Sequence, residues 1–226
     1  MKHDRARGMR QLTSVIALGS MWASAACAQT TDGRSAAGPP AVDLARGVEA
    51  RLQADPLVSR ADSLVRAGRP WPATLLLASA LRTPSSASAS ARLVGARAAA
   101  AWRGWNEVER ILRDAPWLDT ELEGEGRELL TRSALERNAP ATDDARRALT
   151  AARTDAQRAV RSVLLARALD RANALDSAAG LYSSAAARIA EARDWLRLRA
   201  AGVTSDSAAR TALFGGVTIE PARSRV

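Results

Sequence analysis

Leu93 to Trp117 reads LVGARAAAAWRGWNEVERILRDAPW, and this stretch decides the fold class. Small and apolar residues run up to Gly104. Beyond it Trp105, Val108 and Leu112 recur three and four residues apart, the spacing of one helix face. Leu164 to Ile189, LLARALDRANALDSAAGLYSSAAARI, repeats the plan. There Asn173 is the break, and Ala178, Leu181, Tyr182, Ala185 and Ile189 mark the second face. Each stretch reads as two helices joined by a short turn.

The same organisation extends in both directions. Leu57, Ala61, Leu64 and Val65 share one face ahead of Gly68, and Trp71 to Leu81 supplies the next helix. Gly68, Gly104, Asn138 and Asn173 each separate two apolar helical segments, and Gly and Asn tolerate a left-handed helix end. They lie about 36, 34 and 35 residues apart, a period typical of tetratricopeptide-like repeats. Pro84, Pro116 and Pro140 fall near interhelical turns, where a fixed φ and a missing N–H do no harm. Thr142-Asp143-Asp144, Thr154-Asp155 and Thr204-Ser205-Asp206 read as N-caps. The expected fold class is all-α: an array of antiparallel helical hairpins, a tetratricopeptide-like α-solenoid, over residues 42–214. A non-repeating helical bundle is the alternative.

Composition agrees with helices. Hydrophobic residues make up 47% of the 226 but aromatics only 4%, so Ala and Leu carry the apolar surface and no long alternating stretch suggests strands. The net charge is +9, almost all of it from arginine, since Lys2 is the only lysine. The arginines are spread among acidic neighbours, as in Asp143–Arg146 and Arg193–Asp194, and Glu107 to Glu128 is locally acidic. That pattern predicts a solvated helix surface rather than a nucleic-acid groove, which gathers its cations on one face.

Residues 1–28 have the three parts of an export signal. Lys2, Arg5, Arg7 and Arg10 precede an apolar stretch from Leu12 to Ala26, and Ala26-Cys27-Ala28 fits a small-x-small cleavage site. The stretch is short for a membrane span. Ser24-Ala25-Ala26-Cys27 also loosely matches a lipobox, in which Cys27 would be lipidated and the protein held at a membrane. Either route predicts a periplasmic or secreted protein. Cleavage after Ala28 removes His3 and Cys27, the one histidine and the one cysteine, along with Lys2. The remaining chain would then lack the groups for Ser-His-Asp or Cys-His catalysis, lysine Schiff bases, disulfides and ordinary zinc sites. Residues 29–41 are polar and Gly/Pro-rich, the composition of a disordered linker. Gly215 to Val226 reads as a C-terminal tail or linker.

Two segments carry a family resemblance. Gly104-Trp105-Asn106-Glu107-Val108-Glu109, with Gly126-Arg127-Glu128-Leu129-Leu130 beyond it, is one; Asp194-Trp195-Leu196-Arg197-Leu198-Arg199-Ala200-Ala201-Gly202 is the other. With the signal and the hairpin period they resemble the N-terminal, non-catalytic superhelical region of exported soluble lytic transglycosylases, over roughly residues 57–213. That family cleaves peptidoglycan through a separate lysozyme-like domain bearing a Glu-Ser motif. No such motif occurs here: Glu136 is followed by Arg137 and reads as a surface carboxylate. The resemblance therefore implies the substrate-handling part of such an enzyme without its catalytic domain.

No catalytic, cofactor-binding or metal-ligating residues are predicted. Glu121, Glu123, Glu125 and Glu128 cluster at a helix start, where carboxylates favour the helix dipole. Trp71, Trp117 and Trp195 are the candidate binding-face aromatics, while Trp102 and Trp105 are expected to fill gaps between helices. The expected function is an exported binding or scaffolding module at the cell wall. Its partner would be a protein, a peptide or a peptidoglycan glycan, with no role for nucleic acid and none for a membrane unless Cys27 is lipidated.

Overall fold

A computed structural model of the chain describes Leu52 and residues 55–225. The export signal, the lipobox at Cys27 and the linker 29–41 lie outside the described residues. Among those residues the chain is all-helical. Four pairs come first: α1 (Pro56–Arg66) with α2 (Pro70–Leu77), α3 (Ala89–Ala101) with α4 (Trp105–Leu112), α5 (Glu125–Glu136) with α6 (Thr142–Thr150), and α7 (Asp155–Arg171) with α8 (Leu175–Ala186). Then follow α9 (Arg193–Val203), α10 (Ser207–Gly215) and a single turn, α11 (Glu220–Arg223). Each of α1 to α10 packs on its sequence neighbour, and α1, α3, α5 and α7 also pack on one another in order.

The turn inside each pair is the same turn four times. Gly68, Arg103, Asn138 and Asn173 take left-handed φ of 71°, 63°, 57° and 60°, each 35 residues after the last. Just beyond each, the following amide reaches back over the helix end. Arg69 N–H donates to Leu64 O at 2.9 Å, Gly104 to Ala99 at 2.8 Å, Ala139 to Ala134 at 2.8 Å and Ala174 to Leu169 at 2.9 Å. This six-to-one bond satisfies a carbonyl that the helix end would otherwise leave open.

One position differs from the sequence expectation. Arg103, not Gly104, is left-handed; Gly104 has φ −75° and opens α4. The glycine is needed for space, because a Cβ there would stand 2.0 Å from Cη2 of the Trp102 indole. With Arg103 as the marker, the period is uniform. The N-caps also divide. Thr154 forms a capping box with Gln157, and Asp206 accepts from Ala208 N at 2.8 Å. Thr142 is instead the first residue of α6, behind Ala141, which supplies no side-chain cap. Pro140 delays that start, so α6 begins four residues after its left-handed turn, whereas α2, α4 and α8 begin two after theirs.

The first helices meet through small side chains. Ala61, Ala96, Thr131 and Ala166 are fully buried at equivalent places in the 35-residue register, which lets neighbouring backbones come close. Two apolar clusters succeed each other along the chain, and α5 contributes to both, with Leu129 and Leu130 in one and Ala134 and Leu135 in the other.

Arginine does much of the joining. Arg97 of α3 bonds Asp62 of α1 at 2.9 Å and Glu125 of α5 through two contacts of 2.5 Å. Glu128 and Glu136 of α5 pair with Arg161 and Arg167 of α7, and Asp170 of α7 with Arg199 of α9. Buried guanidinium groups also cap helix ends. Arg92 donates to Ile111 O at 2.7 Å and Arg113 O at 3.1 Å, closing α4, and Arg161 to Ala148 O at 3.0 Å near the end of α6. Burial pushes the Arg92 guanidinium below its ordinary value, and Asp114 partly offsets this.

The segment read from sequence as a C-terminal tail is held against α9. Asp194 accepts from Thr218 N at 2.7 Å, Thr218 Oγ1 at 2.9 Å and Ile219 N at 2.9 Å, and Arg197 donates to Gly216 O. Val217 and Ala222 are buried. The backbone amides of Thr218 and Ile219 hold the Asp194 carboxyl down to about 2 from an ordinary 3.8. A depressed carboxylate contributes stability that is complete above its unfolded value and fades as pH falls through the folded one. Amide exchange at Thr218 and Ile219 should therefore be slow at pH 6 and lose protection between about pH 4 and pH 2. Asp194→Ala should lose the same protection at neutral pH, and unchanged exchange in that variant would show the carboxylate is not the latch.

The left-handed turns give a second test. Arg103→Gly removes the Cβ from a left-handed position while keeping every backbone bond, and should raise unfolding stability by about 1 kcal/mol. Thermal melts of the two proteins would read this directly.

Candidate functional site

Helix α2, PWPATLLL, carries no charged residue, though one side of it faces solvent. Pro70 supplies a preset φ at the helix start and Pro72 lies in the first turn, where its missing N–H costs nothing. Ala73 and Leu77 turn inward and are fully buried. Trp71 and Leu75, one helical turn apart on the opposite side, are 57% and 61% exposed. They are the most exposed large apolar side chains among the described residues.

Trp102, at the end of α3, completes the group. Its indole lies over Gly104 and donates from Nε1 to Thr74 Oγ1 at 3.1 Å, while Thr74 itself donates to Pro70 O at 3.1 Å. The Trp71 and Trp102 rings meet edge to face, with centroids 5.9 Å apart and planes at 79°. An indole held by both a hydrogen bond and a ring contact is pre-set, so little side-chain freedom remains to be lost on binding. Beside this corner runs a cleft of about 240 Å³ between α2 and α4, lined by Thr74, Ala78, Gly95, Glu107, Arg110 and Ile111. Gly95 of α3 has no Cβ because Leu81 occupies its place; a Cβ would meet Leu81 Cδ1 at 2.3 Å.

The repeat supplies an internal control. The place of Trp71 is taken by Asn106 in α4 and Asp176 in α8, and by Asp143 in α6 after its two-residue offset. Leu75 corresponds to Arg110, Arg147 and Gly180. All six of those residues are exposed and none is a large apolar side chain. Only α2 has an apolar outer face among the four second helices.

Three exposed cations stand around that face. Arg69 precedes Trp71, Arg103 follows Trp102, and Arg82 lines the cleft; all three are exposed, and among the described residues no carboxylate pairs with them. Arg110, by contrast, is held by Glu107 at 2.5 Å, a bond that raises the guanidinium and lowers the carboxyl.

The remaining sequence candidates fall elsewhere. Trp117 is only 7% exposed: its ring and the Leu118 side chain pack over Gly126, and its Nε1 has no hydrogen-bond partner among the described residues. It offers no ring to a ligand. Trp195 is half-buried, with the Arg225 guanidinium 5.3 Å from its ring centroid. Trp102, expected in the core, is 38% exposed and belongs to the corner, while Trp105 is half-buried against the core as expected.

The acidic cluster is dispersed into structure. Glu123 accepts from Gln157 Nε2 at 2.8 Å, Glu125 pairs with Arg97, and Glu128 with Arg132 and Arg161. Glu136 is exposed and pairs with Arg167 at 3.4 Å. A second, polar cleft of about 350 Å³ is closed electrostatically, since Arg127 there lies between Asp119 and Asp144 at 2.8 and 2.7 Å. The Arg127 hydrogen bond is the chief cause that lowers the Asp119 carboxyl. Among the described residues no group of His, Cys, Asp and Glu is arranged to hold a metal ion, and no helix is long and apolar enough to cross a membrane.

No protein-family model, curated protein or solved structure matches this chain.

The corner depends on the glycine beneath it. Gly104→Ala should push the Trp102 indole off its seat, break the bond to Thr74 and separate the two rings. The expected result is a red-shifted tryptophan emission, a weaker near-ultraviolet signal and a stability loss of about 1–2 kcal/mol. Spectra identical to the unsubstituted protein would show that the ring does not need that space.

Proposed function

We propose that the protein is an exported helical-repeat scaffold, a tetratricopeptide-like α-solenoid that binds a partner outside the cytoplasm at the cell wall. Its partner is a protein, a peptide or a peptidoglycan glycan. The solenoid reading is supported by the 35-residue recurrence of one turn geometry and by first helices that pack in order. Repeats of this kind present long surfaces built from equivalent positions, and their differences carry specificity. The observation that carries the binding role is the outer face of α2, apolar where its sister helices are polar. Clustered apolar side chains exposed to water mark interaction sites more often than scattered ones. Trp and Arg together are also the residues that dominate binding energy at interfaces.

Export is proposed on the sequence of residues 1–28, with Gln29 as the new N-terminus. The cell-wall location leans on the resemblance of the hairpin region to the accessory part of lytic transglycosylases.

The test uses the full chain expressed in a Gram-negative host. Its extracytoplasmic form should begin at Gln29 by mass spectrometry and should sediment with purified peptidoglycan sacculi. An unrelated basic helical protein at the same salt concentration is the control. Sedimentation no greater than the control removes the cell-wall role, and an intact Met1 in the exported fraction removes cleavage after Ala28.

A further inference from the structure

The face of α2 has chemistry specific enough to name what covers it. We propose that Trp71, Leu75 and Trp102, with the groove between α2 and α4, dock an acidic amphipathic helix of a partner protein. This rests on the binding-module reading above and gives the partner's chemistry at the same site.

Three observations converge. First, Trp71 and Leu75 of α2 and Ala78 at its C-cap form one stripe, the ridge that a packed helix presents to its neighbour. Second, a groove lies beside the ridge, lined by Thr74, Ala78, Leu81 and Ile111 and by the Glu107–Arg110 pair. A ridge next to a groove is the shape that receives apolar side chains spaced i, i+3, i+4 and i+7 on an incoming helix. Third, Arg69 and Arg82 stand beyond the two ends of α2, and Arg103 stands beside Trp102, all without a carboxylate partner among the described residues. Guanidinium groups in those places complement Glu or Asp along the edges of the incoming helix.

The same features disfavour the other occupants. A second copy of this chain would bring a net charge of +9, or +6 once residues 1–28 with their net +3 are removed, and its own arginine rim against these arginines. A lipid surface would take the projecting rings but has no side chains to fill the groove.

The test measures binding of the full chain to a labelled synthetic helical peptide with Leu on one face and Glu on the others. Peptides with Lys in place of Glu, or Ser in place of Leu, serve as comparisons. The Glu–Leu peptide should bind at least about tenfold more tightly than either. The double variant Trp71→Asn, Leu75→Arg places on α2 the residues its sister α4 carries, so its helical spectrum should be unchanged. It should lose at least about tenfold in affinity.

Equal binding of the Glu and Lys peptides, or equal binding by the variant, overturns the proposal. So does binding to phosphatidylglycerol vesicles without binding to the peptide, or a dimer that the double variant abolishes. If the peptide fails but the variant loses retention on sacculi, the binding-module reading stands and the acidic helix is wrong. If variant and unsubstituted protein match in both assays, both readings fall.

Discussion

A helix that ends on a left-handed residue must turn back at once, and the rest of this structure depends on that reversal. The left-handed residue directs the chain away from the helix axis, and the next amide locks the turn by bonding a carbonyl five residues earlier. Because the lock is local, it can be repeated without reference to the rest of the chain. It recurs at an interval of 35 residues, so equivalent positions of successive pairs fall into register. Register is what allows Ala61, Ala96, Thr131 and Ala166 to become one line of small contacts and Trp71 to be compared with Asn106 and Asp176.

Close packing through alanine has a consequence for charge. Small side chains bring helices near each other but bury little apolar area apiece, so each junction gains modestly from the hydrophobic effect. Arginine covers part of the shortfall. Its long stem packs along the helices while the guanidinium reaches a carboxylate or a helix-end carbonyl on a neighbour. Arg97, Arg161 and Arg199 do this at successive junctions. Much of the positive charge is thus spent inside the array, while Arg69, Arg82 and Arg103 around α2 pair with no carboxylate among the described residues.

The corner at α2 follows from the same construction. A second helix packs inward through Ala73 and Leu77 and leaves its other face to solvent. In three pairs that face is polar. In α2 it is apolar, with Trp102 braced across it by Thr74 and made room for by Gly104. One glycine therefore serves the surface rather than the turn, and the turn itself passes to Arg103.

The sequence by itself determined helicity, the pairing of helices and the period, because these rest on local rules: apolar residues three and four apart, and Gly or Asn at a left-handed end. It also marked Trp71 as a candidate contact. It could not tell the left-handed Arg103 from its neighbour Gly104, because that glycine answers to the Trp102 ring packed over it rather than to φ. Nor could it separate an exposed Trp102 from a buried Trp117, since a tryptophan's exposure depends on what stands opposite, here Thr74 and Gly126. The latch at Asp194 and the arginine bridges join residues two to three dozen positions apart. No short window of sequence holds both partners, so only the packed helices could decide them.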